Sequence, residues 1–334
     1  MDLYSYNYRK PDYTVKELKQ NGSSVKNYSL TYDSPYRTGI GINDRVYVRL
    51  FLDKGTDLKK TKDHNFLIFT HGFSSKKKST KNYYSFADKI TDTSLSCAFV
   101  NLPFHLNRTP DGEKSGQRLI HYDDIDTLKF FHQCVVDIKR LADIIRIIMS
   151  PKNIFICGIS LGSMITLVAM ANDDRISKGV FLLGGGNWEE VHWKGLLRLI
   201  LKGDCTHEGK DVREECRKSY KSFPKFLNEF KKLKNKRIGM DLKDLPGLKE
   251  AAAKMCFLCD PLIFAHKISP EKVLMINAKF DFYFSKKSTR QLWEELGRPK
   301  IHWLNTLHSS KILTDEKIIA KIRLFLLDQS AGKF

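Results

Sequence analysis

The sequence predicts an α/β protein, a mostly parallel sheet flanked by helices. Three observations carry that expectation. Short apolar runs of strand length recur along the chain: Asn65–Thr70, Ser96–Asn101, Ile154–Cys157, Gly179–Leu183 and Lys272–Asn277. Stretches with helical spacing separate them, as in βα units. The third is the passage of Ile154–Cys157 through Gly158-Ile159-Ser160-Leu161-Gly162 into the small-residue helix Met164–Met170, a sharp strand-to-helix turn. Both glycines are expected because backbone comes too close there to admit a Cβ. The turn holds Ser160 at the top of the sheet, over the free N–H groups of a helix N-terminus.

In chain order, residues 1–45 are polar and tyrosine-rich, and predict a leading arm with a first edge strand near Val25–Tyr32. Arg45–Leu52 alternates polar and apolar residues like a half-buried strand. Asn65–Thr70 runs into His71-Gly72-Phe73, and a helix near Asn82–Ile90 leads to Ser96–Asn101. The loop from Leu102 to Gly112 then leaves the carboxyl end of a strand, the edge at which open α/β sheets bind ligands. His105 and Arg108 in this loop are candidates to contact an anionic substrate group; equally, Arg108 fixes the loop by bonding carbonyls. Asp126–Ile148 has the apolar stripe of a long amphipathic helix (Leu128, Phe131, Val135, Ile138, Leu141, Ile145).

From 187 to 268 no strand is expected. Lysine, glutamate and aromatic residues dominate a stretch too long for a plain connection. It reads as a helical cap inserted between two parts of a core, 46–186 and 269–334. Its most apolar part, Trp193–Lys202, is a helix that packs on its neighbours or lies as an interfacial lid. After it come the strand Lys272–Asn277, a helix Lys287–Leu296 stopped by Gly297, a last strand Ile301–Leu304 and a closing helix Asp315–Leu327.

The 334 residues are 42% hydrophobic, enough for a sizeable core. No run is long and apolar enough to span a bilayer, and residues 1–10 lack the apolar stretch of a secretory signal. Seven cysteines without such a signal predict a reducing, cytoplasmic setting. Cys256-Phe257-Leu258-Cys259 has no second pair or histidine cluster beside it, so packing is favoured over metal or redox chemistry. The net charge of +19 suits anionic ligands or acidic membrane surfaces, although a solvated lysine-rich surface explains it as well. Denser runs stand at Lys59–Lys62, Lys76–Lys78 and Lys231–Arg237. No nucleic-acid-binding signature is present, so no nucleic-acid partner is expected.

A serine hydroxyl becomes a nucleophile only beside a base, and the base needs a carboxylate to orient it. Ser160, Asp281 and His308 each follow a strand, in the chain order Ser, Asp, His. His302 is the rival base but falls mid-strand. Asp260 is the rival acid but precedes Pro261, and so reads as a helix cap.

These parts together resemble the α/β-hydrolase superfamily of serine hydrolases over nearly the whole chain. More narrowly, Leu102–Pro110 with Ser115-Gly116 is similar to a loop of the abhydrolase domain-containing protein 18 kind. Val273–Asp281 and Leu292–Gly297 resemble segments of dienelactone-hydrolase-like esterases. The resemblance implies a cap-bearing esterase fold with Ser160, Asp281 and His308 as catalytic residues. It implies an oxyanion hole from the N–H groups of Phe73 and Leu161, in whose loop His71 and Gly72 are expected beside the substrate, as the loop position alone suggests for His105 and Arg108. It implies no metal and no organic cofactor. The chain departs from the family at Leu307, where glycine usually precedes the histidine, and at Phe282-Tyr283-Phe284-Ser285 after the acid. The expected substrate is a small acyl ester or thioester, one carrying negative charge if His105, Arg108 and Lys76–Lys78 face the mouth, with peripheral membrane contact compatible. The alternatives are a catalytically silent binding module on the same fold, and an acyltransferase or peptidase using the same three residues.

Overall fold

A computed structural model describes residues 3–18, 25–56, 64–73, 75, 77–120, 123–200, 210–232, 242 and 244–328. Its centre is a nine-stranded sheet: β1 (Tyr13–Leu18), β2 (Val25–Asp33), β3 (Arg45–Asp53), β4 (Asn65–Thr70), β5 (Leu95–Val100), β6 (Asn153–Ile159), β7 (Ile176–Leu182), β8 (Val273–Phe280) and β9 (Lys300–Leu307). The spatial order is β1-β2-β3-β5-β4-β6-β7-β8-β9. From β5 to β9 every pairing is parallel, and β1, β2, β3 and β5 pair antiparallel. Parallel strands need both faces covered, which is why β4, β5 and β6 are apolar almost without alternation and buried along nearly their whole length.

The principal helices are α1 (Lys77–Ile90), α2 (Asp124–Ile148), α3 (Leu161–Ala171), α4 (Trp188–Lys194), α5 (Lys210–Lys221), α6 (Phe223–Lys232), α7 (Leu245–Ala251), α8 (Pro261–Ala265), α9 (Lys286–Glu295) and α10 (Glu316–Leu327). On one sheet face Ile68, Ile156 and Met275 pack with Leu141 of α2, Val168 of α3 and Ile263 of α8. On the other, Phe69, Cys157 and Ile276 pack with Phe86 of α1 and Ile322 of α10. The two layers hold the carboxyl ends of the parallel strands β4 to β9 at one edge, where the turns and loops holding Ser160, Asp281 and His308 emerge.

The amino-terminal expectation requires correction. The stretch near Val25–Tyr32 is not the edge: β2 lies between β3 and an outer strand, β1, within the expected arm. β1 is hard to read because its alternation is limited to Tyr13 and Val15, and Lys16, Glu17 and Leu18 beyond them are exposed. Nor is the segment before it loose. Tyr4 is fully buried, donates a hydrogen bond to the Leu258 carbonyl (3.1 Å) and meets Phe264 edge to face.

Between β7 and β8 the described residues form helices and 3₁₀ turns, and no strand. The carboxyl-terminal part of this segment, Met255–Cys259 and α8, is buried and joins the core cluster of α2 and α3. Cys256 and Cys259 are buried among those residues, with the Cys259 thiol donating to the Cys256 carbonyl (3.4 Å). Asp260 fastens the segment at both ends. Its fully buried carboxylate caps α8 through Leu262 N–H and accepts the N–H groups of Asn187 and Trp188 at the start of α4 (3.0, 3.0 and 2.9 Å). Burial raises its pKa to about 6 against the pull of those three donors. No helix among the described residues is long and apolar enough to cross a membrane. Cys205 and the lysines at 59, 60, 62, 76 and 234 lie outside the described residues.

Candidate active site

Ser160 stands between β6 and α3 at φ 58° and ψ −124°, a backbone region that side-chain-bearing residues seldom enter. Its surroundings leave no alternative. A Cβ on Gly158 would lie 2.2 Å from the Gly162 carbonyl oxygen and 2.5 Å from Thr166 Oγ1. One on Gly162 would lie 2.5 Å from the His71 carbonyl oxygen. The turn is held by Ser160 N–H donating to the Leu182 carbonyl (2.9 Å) and by the Ser163 hydroxyl donating to the Ser160 carbonyl (2.7 Å). Residues this strained persist only where the fold over-determines them.

The structure brings the three distant candidates together. His308 Nε2 lies 3.0 Å from Ser160 Oγ, and His308 Nδ1 lies 2.7 Å from Asp281 Oδ2. The other oxygen of Asp281 accepts the N–H groups of Tyr283 (2.8 Å) and Phe284 (2.9 Å), which fixes the carboxylate plane. The Phe284 ring stacks on the imidazole at 5.9 Å and that of Tyr283 meets it edge-on at 4.8 Å. The aromatic pair that marks a departure from the resembled family therefore serves as the wall and brace of His308. With Nδ1 donating to the carboxylate, Nε2 is left as an acceptor facing the serine hydroxyl. The arrangement can move a proton between Ser160 Oγ and Nε2 and hold an imidazolium beside a carboxylate.

A cavity of about 440 Å³ opens on Ser160 and His308. Its walls are largely aromatic and aliphatic: Phe73, Phe130, Phe131, Met164, Trp188, Val191, Leu197, Tyr220 and Phe284. Lys254, Asp123 and Asp124 also line it, and His192 of α4 lies in the wall against Trp188, its pKa pushed down to about 4 by burial. The helical segment and the start of α2 thus supply much of the lining. Sequence reasoning missed these positions, since an aromatic residue of a helix looks the same whether it faces core or cavity. Among the described residues no cluster of His, Cys, Asp or Glu is suited to hold a metal ion.

Three residues expected around the substrate stand elsewhere. Arg108 is fully buried and saturated by protein. It donates to the Asn43 carbonyl through Nε and Nη2 (2.8 and 2.6 Å), to the Asn101 carbonyl (3.1 Å) and to Asp137 Oδ2 (2.8 Å). Of the two readings open for it, fixing the loop is the one realised. His105 is equally buried, its Nδ1 donating to the Pro103 carbonyl (2.8 Å), and burial lowers its pKa to about 4. His71 donates from Nδ1 to the Gly72 carbonyl (2.8 Å) and accepts Leu102 N–H at Nε2 (3.1 Å). Burial lowers the His71 pKa to about 3, so it is a neutral strut between the two loops. None of the three lines the cavity, whereas Gly72, Phe73 and Leu161 do. A Cβ on Gly72 would come within 3.1 Å of the Ser160 Cβ, a measure of how closely that loop approaches the serine. The rivals are placed as the sequence suggests: His302 lies within β9 and Asp260 caps α8.

No known family model matches the chain. A stretch of 61 residues is 36% identical to the uncharacterized protein YdjC of Bacillus subtilis (strain 168), covering 18% of this chain and 53% of that protein, about half its length. Solved structures match over nearly the whole chain. An acetyl xylan esterase from Paenibacillus sp. R4 superposes with a TM-score of 0.59 at 13% identity, over 95% of this chain and 89% of its own. Acetyl xylan esterase 1 from Thermoanaerobacterium sp. JW/SL YS485 gives 0.56 at 16% identity, over 96% and 89%. A cold-adapted esterase from an Arctic intertidal metagenomic library gives 0.54 at 14% identity, over 92% and 96%. At such identities the likeness is one of architecture, and the architecture is the α/β-hydrolase fold of these esterases.

Proposed function

We propose that the protein is a serine hydrolase that cleaves a carboxylic ester or thioester through an acyl-enzyme on Ser160. The observation that carries this reading is the unbroken Asp281–His308–Ser160 hydrogen-bond series at the mouth of an apolar cavity. Ser160 Oγ attacks the acyl carbonyl carbon while His308 Nε2 takes its proton. The C–O or C–S bond then breaks as the imidazolium returns that proton to the leaving alcohol or thiol. Water then attacks the acyl carbon, giving a proton to Nε2; the acyl C–Oγ bond breaks, releasing the acid, and the imidazolium returns the proton to Ser160 Oγ. Asp281 holds the imidazole tautomer and offsets its transient charge.

The N–H groups of Phe73 and Leu161 hold the oxyanion. Leu161 is the first residue of α3, whose N–H has no partner within the helix, and Gly72 lets the Phe73 loop approach Ser160. Losing one such donor costs an acyl-transfer enzyme about 10²–10³ in kcat.

The acyl group is uncharged and apolar rather than anionic. Arg108 and His105 are committed to the fold, and Lys254, the described cation in the lining, shares the cavity with Asp123 and Asp124. Labelling by a fluorophosphonate probe tests the reading: wild type is expected to label, and Ser160→Ala and His308→Ala to lose it. An unlabelled wild type would leave the fold as a binding module. A panel of acetyl, butyryl and octanoyl esters then tests the acyl preference, with acetylated xylan included because two of the structural relatives are named for it.

A further inference from the structure

We infer that the face around the cavity mouth docks on an anionic lipid surface. The observation is the company that Asp281 and His308 keep. Asp281 stands between Phe280 and Phe282, and His308 follows Leu307. All three apolar neighbours are more than half exposed. Phe280 pairs with Leu307 across β8 and β9. Leu196 N–H donates to the Phe282 carbonyl (2.7 Å), which brings the 3₁₀ turn Leu196–Leu199 alongside. There Leu196 is two-fifths exposed and Leu199 more than two-thirds.

Single exposed apolar residues are ordinary, but Leu196, Leu199, Phe280, Phe282 and Leu307, five of the eleven large apolar residues exposed among the described residues, come from neighbouring elements at one sheet edge. A contiguous exposed patch of that kind marks a docking surface. Leu197, Ile200 and Tyr283, interleaved with the patch in sequence, line the cavity, so patch and cavity are continuous.

The charge around the patch selects the occupant. Lys194, Arg198, Lys279 and Lys311 are exposed among or beside these residues, and none is in an ion pair among the described residues. The nearby carboxylates are largely engaged: Asp281 with His308, and Glu190 with Lys287, which Glu189 also faces. Apolar side chains ringed by cations, on a chain of net charge +19, complement a surface that is negative outside and hydrocarbon beneath. A second copy of the chain would bring the same cations face to face. Docking would place the cavity mouth against the acyl groups of the surface. That last step rests on the serine-hydrolase reading; the docking itself does not.

The experiment is co-sedimentation of the full chain with phosphatidylcholine vesicles and with vesicles of equimolar phosphatidylcholine and phosphatidylglycerol, at low and high salt. Wild type is expected to bind the anionic vesicles and to bind them less at high salt. Two surface variants separate the contributions. Arg198→Glu with Lys279→Glu should weaken anionic-vesicle binding by about fivefold or more for each cation removed. Leu199→Asp with Phe280→Asp should weaken it at both salt concentrations.

Absence of binding by wild type overturns the inference. So does binding that both variants retain, which would trace it to charge elsewhere. A patch variant that changes the molecular mass in solution would make the face an interface between copies and also overturn it. Fluorophosphonate labelling of the same samples keeps the two readings apart. Labelled protein that ignores vesicles refutes docking alone, and unlabelled protein that binds them refutes the hydrolase reading alone.

Discussion

Ser160 occupies its positive-φ conformation because Gly158 and Gly162 let the Thr70–His71 backbone and Thr166 close around the turn. Gly162→Ala is therefore expected to destabilise the fold by about 3 kcal/mol or more, since the atoms it would strike are backbone; a denaturant melt would show it. On the serine-hydrolase reading, Ser160→Ala should lower ester turnover on the order of 10⁶-fold, and Asp281→Asn about 10³–10⁴-fold, with folding intact. A near-normal rate for Asp281→Asn would mean that the carboxylate does not set the tautomer of His308. Arg108 makes the opposite case. Arg108→Met strips Asp137 of its buried cation and leaves the Asn43 and Asn101 carbonyls short of donors. A loss of about 3–5 kcal/mol in unfolding free energy is expected, with little change in KM for protein that remains folded. A raised KM at unchanged stability would return Arg108 to the substrate.

At the level of elements, the helical segment between β7 and β8 is tied at entry and exit by one buried carboxylate, Asp260. Its pKa is raised from 3.8 to about 6 by burial. A folded-state pKa above the unfolded one means that the folded protein binds the proton more tightly. The contribution is fully present below about pH 3.8 and is lost as pH rises through about 6. Compared with Asp260→Asn, wild type should therefore lose on the order of 2–3 kcal/mol of relative stability between pH 4 and 7. Chemical denaturation of both proteins across that range measures it, and a flat difference would show that the group does not titrate there. The same segment furnishes Trp188, Val191, Leu197 and Tyr220 to the cavity. Each methylene of an acyl chain buried there is worth about 0.8 kcal/mol. Octanoyl esters should accordingly exceed acetyl esters in kcat/KM by well over tenfold, and an acetyl preference would mean that the cavity holds something other than the acyl chain.

Across the whole molecule, the amino-terminal segment and the core are one packed body. Tyr4 reaches across 254 positions to the Leu258 carbonyl and meets Phe264 of α8. Tyr4→Ala should cost about 3 kcal/mol or more of stability without touching Ser160, read as a lowered melting temperature with specific activity preserved in the folded fraction. What the sequence determined by itself is what local chemistry encodes. Buried parallel strands must be apolar throughout, so β4 to β8 are legible. The crowding at a strand-to-helix turn demands glycine on both sides, so Ser160 is legible, and Asp281 and His308 are found because each follows a readable strand. β1 was not legible, since an exposed edge strand owes its existence to hydrogen bonds with β2 more than to so short a pattern of its own. The tertiary structure alone decided which polar residues meet at the cavity and which are held inside the fold. His71, His105 and Arg108 follow strands just as Asp281 and His308 do. Burial turns their hydrogen bonds inward, those of His71 and His105 to the two loops that carry them and those of Arg108 to Asn43, Asn101 and Asp137 of α2. It also decided which aromatic residues of the helices line a cavity, and that the apolar neighbours of Asp281 and His308 face outward. Exposure is a property of what packs against a side chain, and a sequence lists the side chains without their neighbours.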